Sequence, residues 1–272
     1  MQVVNIPYGK GSLGKNSSTN LAPEQIKKTV KEIFLSEQQR IPVFSFHDIV
    51  VDESDMEAAL PQIETQARKI LSQSTQPVCF VGGDHSITYA TFQAFVKEKC
   101  GIEKDQTASA GLIVVDAHPD LMQSFDPPTH ENYLRCMIEN NMIHPEKIIL
   151  IGIRAWDQEE ADFIKKHKIK SFSMAEIQRE GFNETVLAVM SAAREWKAAY
   201  FSIDIDGVDP AFAPGTGYAE PGGLTSRELI HLIHQLKRLP NIKCYDVVEI
   251  NPEKDVNNMT VKLGAKILAE LC

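Results

Sequence analysis

A chain of 272 residues with 43% apolar and 24% charged side chains has an ordinary globular composition and enough length to bury a substantial core, as one large α/β domain or two small ones. A net charge of −9 lacks the basic balance that a nucleic-acid backbone calls for, and no apolar run approaches the ~20 residues of a membrane-crossing helix. The five scattered cysteines (Cys79, Cys100, Cys136, Cys244 and Cys272) form no C-x-x-C pair and the N-terminus lacks the basic-then-apolar pattern of a secretory signal, which together predict reduced thiols and a cytoplasmic location.

In chain order, YGKGSLGKNSSTN reads as a loop and QPVCFVGG as a strand. SITYATFQAFVKEK behind it has helical spacing, with Ser86 as candidate N-cap. GLIVVDAH is a strand, MQSFDPPTHEN a loop and EKIILIGIRA a strand, followed by helices over EEADFIKKHK and NETVLAVMSAAREW. KAAYFSIDID is the next strand, DPAFAPGTGYAEPGG a loop, and TSRELIHLIHQLKRL a helix capped by Thr225 or Ser226. IKCYDVVEINP is the last strand and NNMTVKLGAKILAEL the closing helix. Continuous apolar strands interleaved with helices predict parallel strands buried on both faces. No repeat, low-complexity tract or long linker divides the chain, which predicts one domain over residues 1–272.

Four strand ends carry unusual chemistry: GGDHS, DAHPD, SIDIDGVDP and DVVEINP. Open α/β sheets bind ligands beyond the carboxyl ends of their strands, where these clusters fall. Alternation along an extended chain predicts Asp116, His118 and Asp120 on one side of theirs. With His85, Asp204 and Asp206 they gather four carboxylates and two imidazoles. Crowded carboxylates repel, and burial penalises them further, so an empty site would have to take up protons. A pair of divalent cations removes the conflict, and oxygen-rich ligands suit a hard or borderline ion such as Mn²⁺. Two ions ~3.5–4 Å apart could share carboxylates and turn a bridging water into hydroxide near neutral pH.

Taken singly, His85 reads equally as a core or helix-capping histidine, and Asp204 or Asp206 as a turn carboxylate; the combination across three strand ends carries the metal reading. Asp209 before Pro210 reads as turn chemistry, and His231 and His234 as surface or packing residues. Dinucleotide and P-loop glycine patterns, G-x-S-x-G, zinc-finger cysteines and H-E-x-x-H are all missing.

GGDHS, DAHPD and SIDIDGVDPAFAPGTG together resemble the signatures of the ureohydrolases: arginase, agmatinase, guanidinobutyrase, proclavaminate amidinohydrolase and formimidoylglutamase. The resemblance runs from about Val78 to the C-terminus and is loose over the first 40 residues. It implies a three-layer αβα sandwich around a mostly parallel sheet, and two Mn²⁺ per chain. His85, Asp116, Asp120 and Asp204 would hold one ion; His118, Asp116, Asp204 and Asp206 would hold the other, with Asp116 and Asp204 bridging. All six positions are intact.

A guanidinium carbon is a poor electrophile because three nitrogens donate into it, so attack needs a strong, positioned nucleophile. The resemblance further implies that Glu249 in VVEINP binds the guanidinium. His130 in PPTHEN, ten residues after Asp120, would act as general acid for the departing amine. The expected partner is a small cationic guanidino substrate. DPAFAPGTG, with Gly215 where arginases usually carry Ala, is most like agmatinase-type members. That favours agmatine, then 4-guanidinobutyrate or another guanidino acid, then arginine, with formimidoylglutamate last. The family's trimers and hexamers imply a homo-oligomer. A mononuclear Zn²⁺ amide hydrolase and a non-catalytic metal-binding regulator are the readings from other classes.

Overall fold

Successive apolar side chains along each central strand enter opposite cores. In the computed structural model, which describes residues 1–100 and 110–272, β3 (Val78–Val81) sends Val78 and Phe80 to one face and Cys79 and Val81 to the other. β4 (Ala110–Val115) likewise divides Leu112 and Val114 from Ile113 and Val115. The first face is covered by α2 (Met56–Gln73), α3 (Ile87–Lys99), α4 (Tyr133–Glu139) and α5 (Gln158–His167). The second is covered by α1 (Ala22–Thr29), α6 (Met174–Glu180), α7 (Phe182–Arg194), α8 (Ser226–Leu236) and α9 (Met259–Leu271). This is the three-layer αβα sandwich that the sequence implies. Among the described residues no helix is long and apolar enough to cross a membrane.

With β1 (Gln2–Asn5), β2 (Ser45–Asp48), β5 (Ile148–Ile153), β6 (Lys170–Ser173), β7 (Ala198–Asp204) and β8 (Ile242–Val248), the sheet has, among the described residues, eight strands in the order β2-β1-β3-β8-β7-β4-β5-β6. Every strand pair is parallel, where the expectation was mostly parallel. β3, β8, β7 and β4 are consecutive neighbours, so their carboxyl ends form one continuous rim. That rim carries the four motifs.

The strands absent from the sequence expectation, β1, β2 and β6, have four residues each and mix polar with apolar side chains, unlike the equally short but wholly apolar β3. β2 is also an edge strand with none of its residues fully buried. Thr225 does cap α8, in a reciprocal box with Glu228. Ser86 stands at the N-cap position of α3 but makes no capping bond. Its hydroxyl donates instead to the buried Asp84 carboxylate, which also accepts from the backbone N–H groups of Ser86 and Ser12.

The β3 end meets the N-terminal segment at closest range at Gly83. A Cβ there would lie 1.7 Å from the carbonyl oxygen of Tyr8, which accepts the Asp84 N–H at 3.0 Å. Backbone cannot yield as a side chain can. Gly83→Ala is therefore expected to lower the unfolding free energy by about 3 kcal/mol in a denaturant titration. A loss within the scatter of surface substitutions would show that this approach is not rigid.

Candidate metal centre

Each strand end delivers its motif through a turn. β4 stops at Val115, and the next N–H, of Asp116, still pairs with the Ile151 carbonyl at 3.0 Å. From there the chain folds on itself: the Asp116 carboxylate accepts from His118 N at 2.6 Å, and Asp206 Oδ1 accepts from Ala117 N at 3.0 Å. Asp120 adopts a left-handed backbone, φ 53°. The strand alternation expected for Asp116, His118 and Asp120 is therefore absent; a turn, not a pleat, brings them together. β7 ends similarly at Asp204, whose carboxylate accepts the Asp206 N–H at 2.8 Å and caps a short 3₁₀ turn. Past β8, Glu249 is also left-handed, φ 64°, with its N–H on the Gly83 carbonyl at 2.8 Å.

His85 and Asp116 lie at the bottom of the site, both buried. His85 Nδ1 is 3.1 Å from one oxygen each of Asp116, Asp120 and Asp204. None of these approaches has hydrogen-bond geometry, and both His85 Nδ1 and Asp116 Oδ2 are buried without a hydrogen-bond partner. Behind the ring, Ser202 gives its one proton to Asp246 at 2.6 Å and so accepts from His85 Nε2 at 2.8 Å. That places a proton on Nε2 and turns Nδ1 toward the carboxylates, the orientation of a metal-ligating imidazole backed by a hydroxyl and a carboxylate. His118 Nδ1 lies 3.1 Å from Asp206 and 3.5 Å from Asp116. Two groups with metal-ligand spacing result, His85/Asp116/Asp204 and Asp116/His118/Asp206, with Asp116 common to both.

The electrostatics express the same crowding. Burial, then the Asp116 charge, pushes Asp120 up to about 7. Burial and neighbouring carboxylates also raise Asp204 and Asp206. Burial acts against charge on His118, but Asp116 and Asp206 outweigh it and push the imidazole up to about 12. Burial likewise opposes ionisation of Asp116, yet His118 and His85 hold it below the usual carboxylate range. A cluster that must recruit protons and imidazolium charge to be tolerated is one that divalent cations would satisfy.

Beside this centre, His130 Nδ1 pairs with Glu249 Oε1 at 3.0 Å. Burial disfavours the imidazolium, but the Glu249 carboxylate prevails and pushes His130 up to about 9. His130 Nε2 has no hydrogen-bond partner, and the ring stacks on Tyr218, centroids 5.9 Å apart. Glu249 also accepts from His85 N at 2.8 Å and from Asn16 Nδ2 at 2.5 Å. Three of roughly four lone-pair positions on that carboxylate are thus occupied from within the protein. All eight residues singled out in the sequence meet here. Six of them line a cavity of about 450 Å³, and His85 and Asp116 lie beneath it.

Sequence reading missed Asn16, Lys15 and Tyr133. Lys15 closes the cavity rim by pairing with Glu131 at 2.6 Å. Tyr133 places its hydroxyl 3.1 Å from His85 Nε2. Nothing local to these residues signals a role; their meaning arises from contacts across the fold. Asp209 is the turn carboxylate expected, accepting from Ala211, Gly222 and Gly223 N–H groups.

The Arginase family model matches residues 1–272, and the chain belongs to that family. It is 30% identical over 257 residues to "Arginase 1, mitochondrial" of Arabidopsis thaliana, covering 93% of this chain and 70% of that protein. It is 32% identical over 229 residues to a guanidinobutyrase of Pseudomonas aeruginosa, covering 82% and 68%. The solved structure of proclavaminate amidino hydrolase from Streptomyces clavuligerus superposes with a TM-score of 0.87 at 28% identity, over 99% of this chain and 89% of that one.

Proposed function

We propose that this member of the arginase family is a Mn²⁺-dependent amidinohydrolase, with residues 1–272 as one catalytic domain, that releases urea and an amine from a guanidino compound, agmatine foremost. The observation that carries the reading is His85 Nδ1 facing three carboxylate oxygens at 3.1 Å with no hydrogen bond joining them. His85, Asp116, Asp120 and Asp204 would hold one ion and His118, Asp116, Asp204 and Asp206 the second. When bound, the pair supplies Lewis acidity and an activated water to the amidine carbon.

The chain's own residues supply the rest. Glu249 offers its remaining acceptor capacity to the guanidinium, orienting the cation edge-on so that its carbon stays open to attack. His130, held at Nδ1 by Glu249, has Nε2 left to protonate the departing amine. For the substrate's tail, the cavity wall beyond these groups carries Glu131, Asp157, Glu160 and Glu220 against one cation, Lys15, which Glu131 already neutralises. The N-terminus of α5 at the same wall already carries the carboxylates of its Asp157/Glu160 capping box, which oppose a carboxylate tail there. A net-negative wall supports an amine-tailed guanidine.

With Mn²⁺ present, agmatine is expected to exceed 4-guanidinobutyrate, 3-guanidinopropionate and arginine in kcat/KM by about tenfold or more, a difference of ~1.4 kcal/mol. Urea release across these four substrates is the test. Lys15 and the guanidinobutyrase relative support a second reading, in which 4-guanidinobutyrate leads. A flat absence of urea from all four would overturn the amidinohydrolase assignment.

A further inference from the structure

Glu249 is held in a left-handed backbone conformation, and its carboxylate must still present a fixed edge to His130. The third group on that carboxylate is Asn16, which is buried and 233 residues distant in sequence. A primary amide can be turned end for end; the Glu249 carboxylate, which only accepts, favours its NH₂, and a donor on Asn16 Oδ1 holds it in that direction. The choice can be traced outward. The backbone N–H groups of Glu253 and Lys254 point at Asn251 Oδ1, at 3.0 and 3.3 Å. A backbone N–H can only donate, so the Asn251 oxygen must face them and its NH₂ must face the other way.

There Asn251 Nδ2 donates to Asn16 Oδ1 at 2.6 Å, which turns the Asn16 NH₂ toward Glu249 Oε2 at 2.5 Å. Asn16 has no room to escape: a Cβ on Gly217 would lie 2.8 Å from its Cγ. With Oε2 tied to a donor, Oε1 is the oxygen that meets His85 N and His130 Nδ1.

We propose that Asn16 and Asn251 are positioning residues: two side-chain amides in series, their direction set by the N–H groups of Glu253 and Lys254, that fix the Glu249 carboxylate against His130. The proposal rests on the reading of Glu249 and His130 as the guanidinium and proton-transfer partners. It gives the N-terminal segment, which the family model also spans, a defined part in the site.

The test compares the full-length, Mn²⁺-loaded wild type with Asn251→Asp, Asn251→Ala and Asn16→Asp. Asn251→Asp keeps an oxygen for the Glu253 and Lys254 N–H groups but sets its second oxygen against Asn16. The Asn16 amide then faces a carboxylate at each end and can turn its NH₂ to only one of them, so its hold on Glu249 is contested. Asn251→Ala deletes more of the structure yet leaves the Asn16 NH₂ free to stay on Glu249. Both Asp variants are expected to lose about 30- to 100-fold in kcat with bound metal unchanged, while Asn251→Ala loses about fivefold at most. A merely structural role predicts the opposite order, with alanine the worse of the two at position 251.

Crystals of the variants read the positioning without turnover. The Glu249–His130 contact, 3.0 Å here, should open in Asn251→Asp and persist in Asn251→Ala. A closed contact in Asn251→Asp, or equal kinetic losses in the two Asn251 variants, overturns the proposal. An inactive wild type whose Asn251→Asp crystal shows the open contact overturns the functional reading alone.

Discussion

Asp116→Asn is expected to strip the protein of one or both ions and to reduce urea release by about three orders of magnitude or more, ~4 kcal/mol of transition-state stabilisation. Asp116 is the residue common to both ligand groups. Its Oδ2 lies 3.1 Å from His85 Nδ1 and its Oδ1 3.5 Å from His118 Nδ1. The carboxamide keeps the volume and one oxygen, so the accepting bond from His118 N can survive. What it loses is the negative charge at the point where two cations would share it, and an NH₂ group then points at a space meant for metal. Asp120→Asn, whose carboxylate meets only His85 in the first group, is expected to disturb one ion and leave the second. Elemental analysis of the purified variants measures both. Melting temperature adds an independent readout, because a ligand that binds only the folded state stabilises it. Chelation should lower the melting temperature of the wild type and leave that of Asp116→Asn nearly unmoved. An Asp116→Asn protein that carries two ions at the wild-type rate would remove the centre from this site.

The candidate ligand residues were legible in the sequence because metal chemistry needs particular side chains at strand ends, and those strands are near-continuous apolar runs. The geometry that joins them was not. Asp116, His118 and Asp120 look like alternate residues of one strand. Val115 is in fact the last strand residue, and the convergence depends on Asp120 turning left-handed. A single sequence shows no signal for a non-glycine residue with positive φ. Asp120 and Glu249 both adopt one, at a typical cost of about 1–3 kcal/mol each that the surrounding contacts must offset. For Glu249 those contacts come from Gly83, His85, His130 and Asn16, on three separate stretches of chain. Asn16 shows the limit most sharply. It lies in a polar loop of ordinary composition, and its role exists only because β8 is adjacent to β3 in the sheet and the N-terminal segment crosses above both. The central strands announced themselves by continuous apolar runs. Of the four-residue strands, wholly apolar β3 was legible, while β1, β2 and β6, which mix polar residues, were not.

His130→Ala carries the second large expectation, a fall in kcat of about 10²- to 10⁴-fold with metal content intact. His130 touches none of the carboxylates around His85 and His118; it is bonded to Glu249 and stacks on Tyr218. Removing it leaves Glu249 with the Asn16 and His85 donors, so neither the fold nor the metal ligands lose a direct partner. Glu249 holds the imidazole in its charged form despite burial, and its Nε2 makes no hydrogen bond, with the Glu131 carboxylate 4.0 Å away. A proton donor at that position matters in proportion to how badly the leaving amine needs a proton. The loss in His130→Ala should therefore be greatest for alkylguanidines, whose amines are strongly basic. It should shrink for an arylguanidine, whose aniline leaves more readily without prior protonation. A histidine acting only as a fixed charge, or only as a support for Glu249, would depress both substrates by the same factor. Parallel measurement of kcat for an alkyl- and an arylguanidine in wild type and variant separates the two, and equal factors would assign His130 to electrostatic support instead of proton transfer.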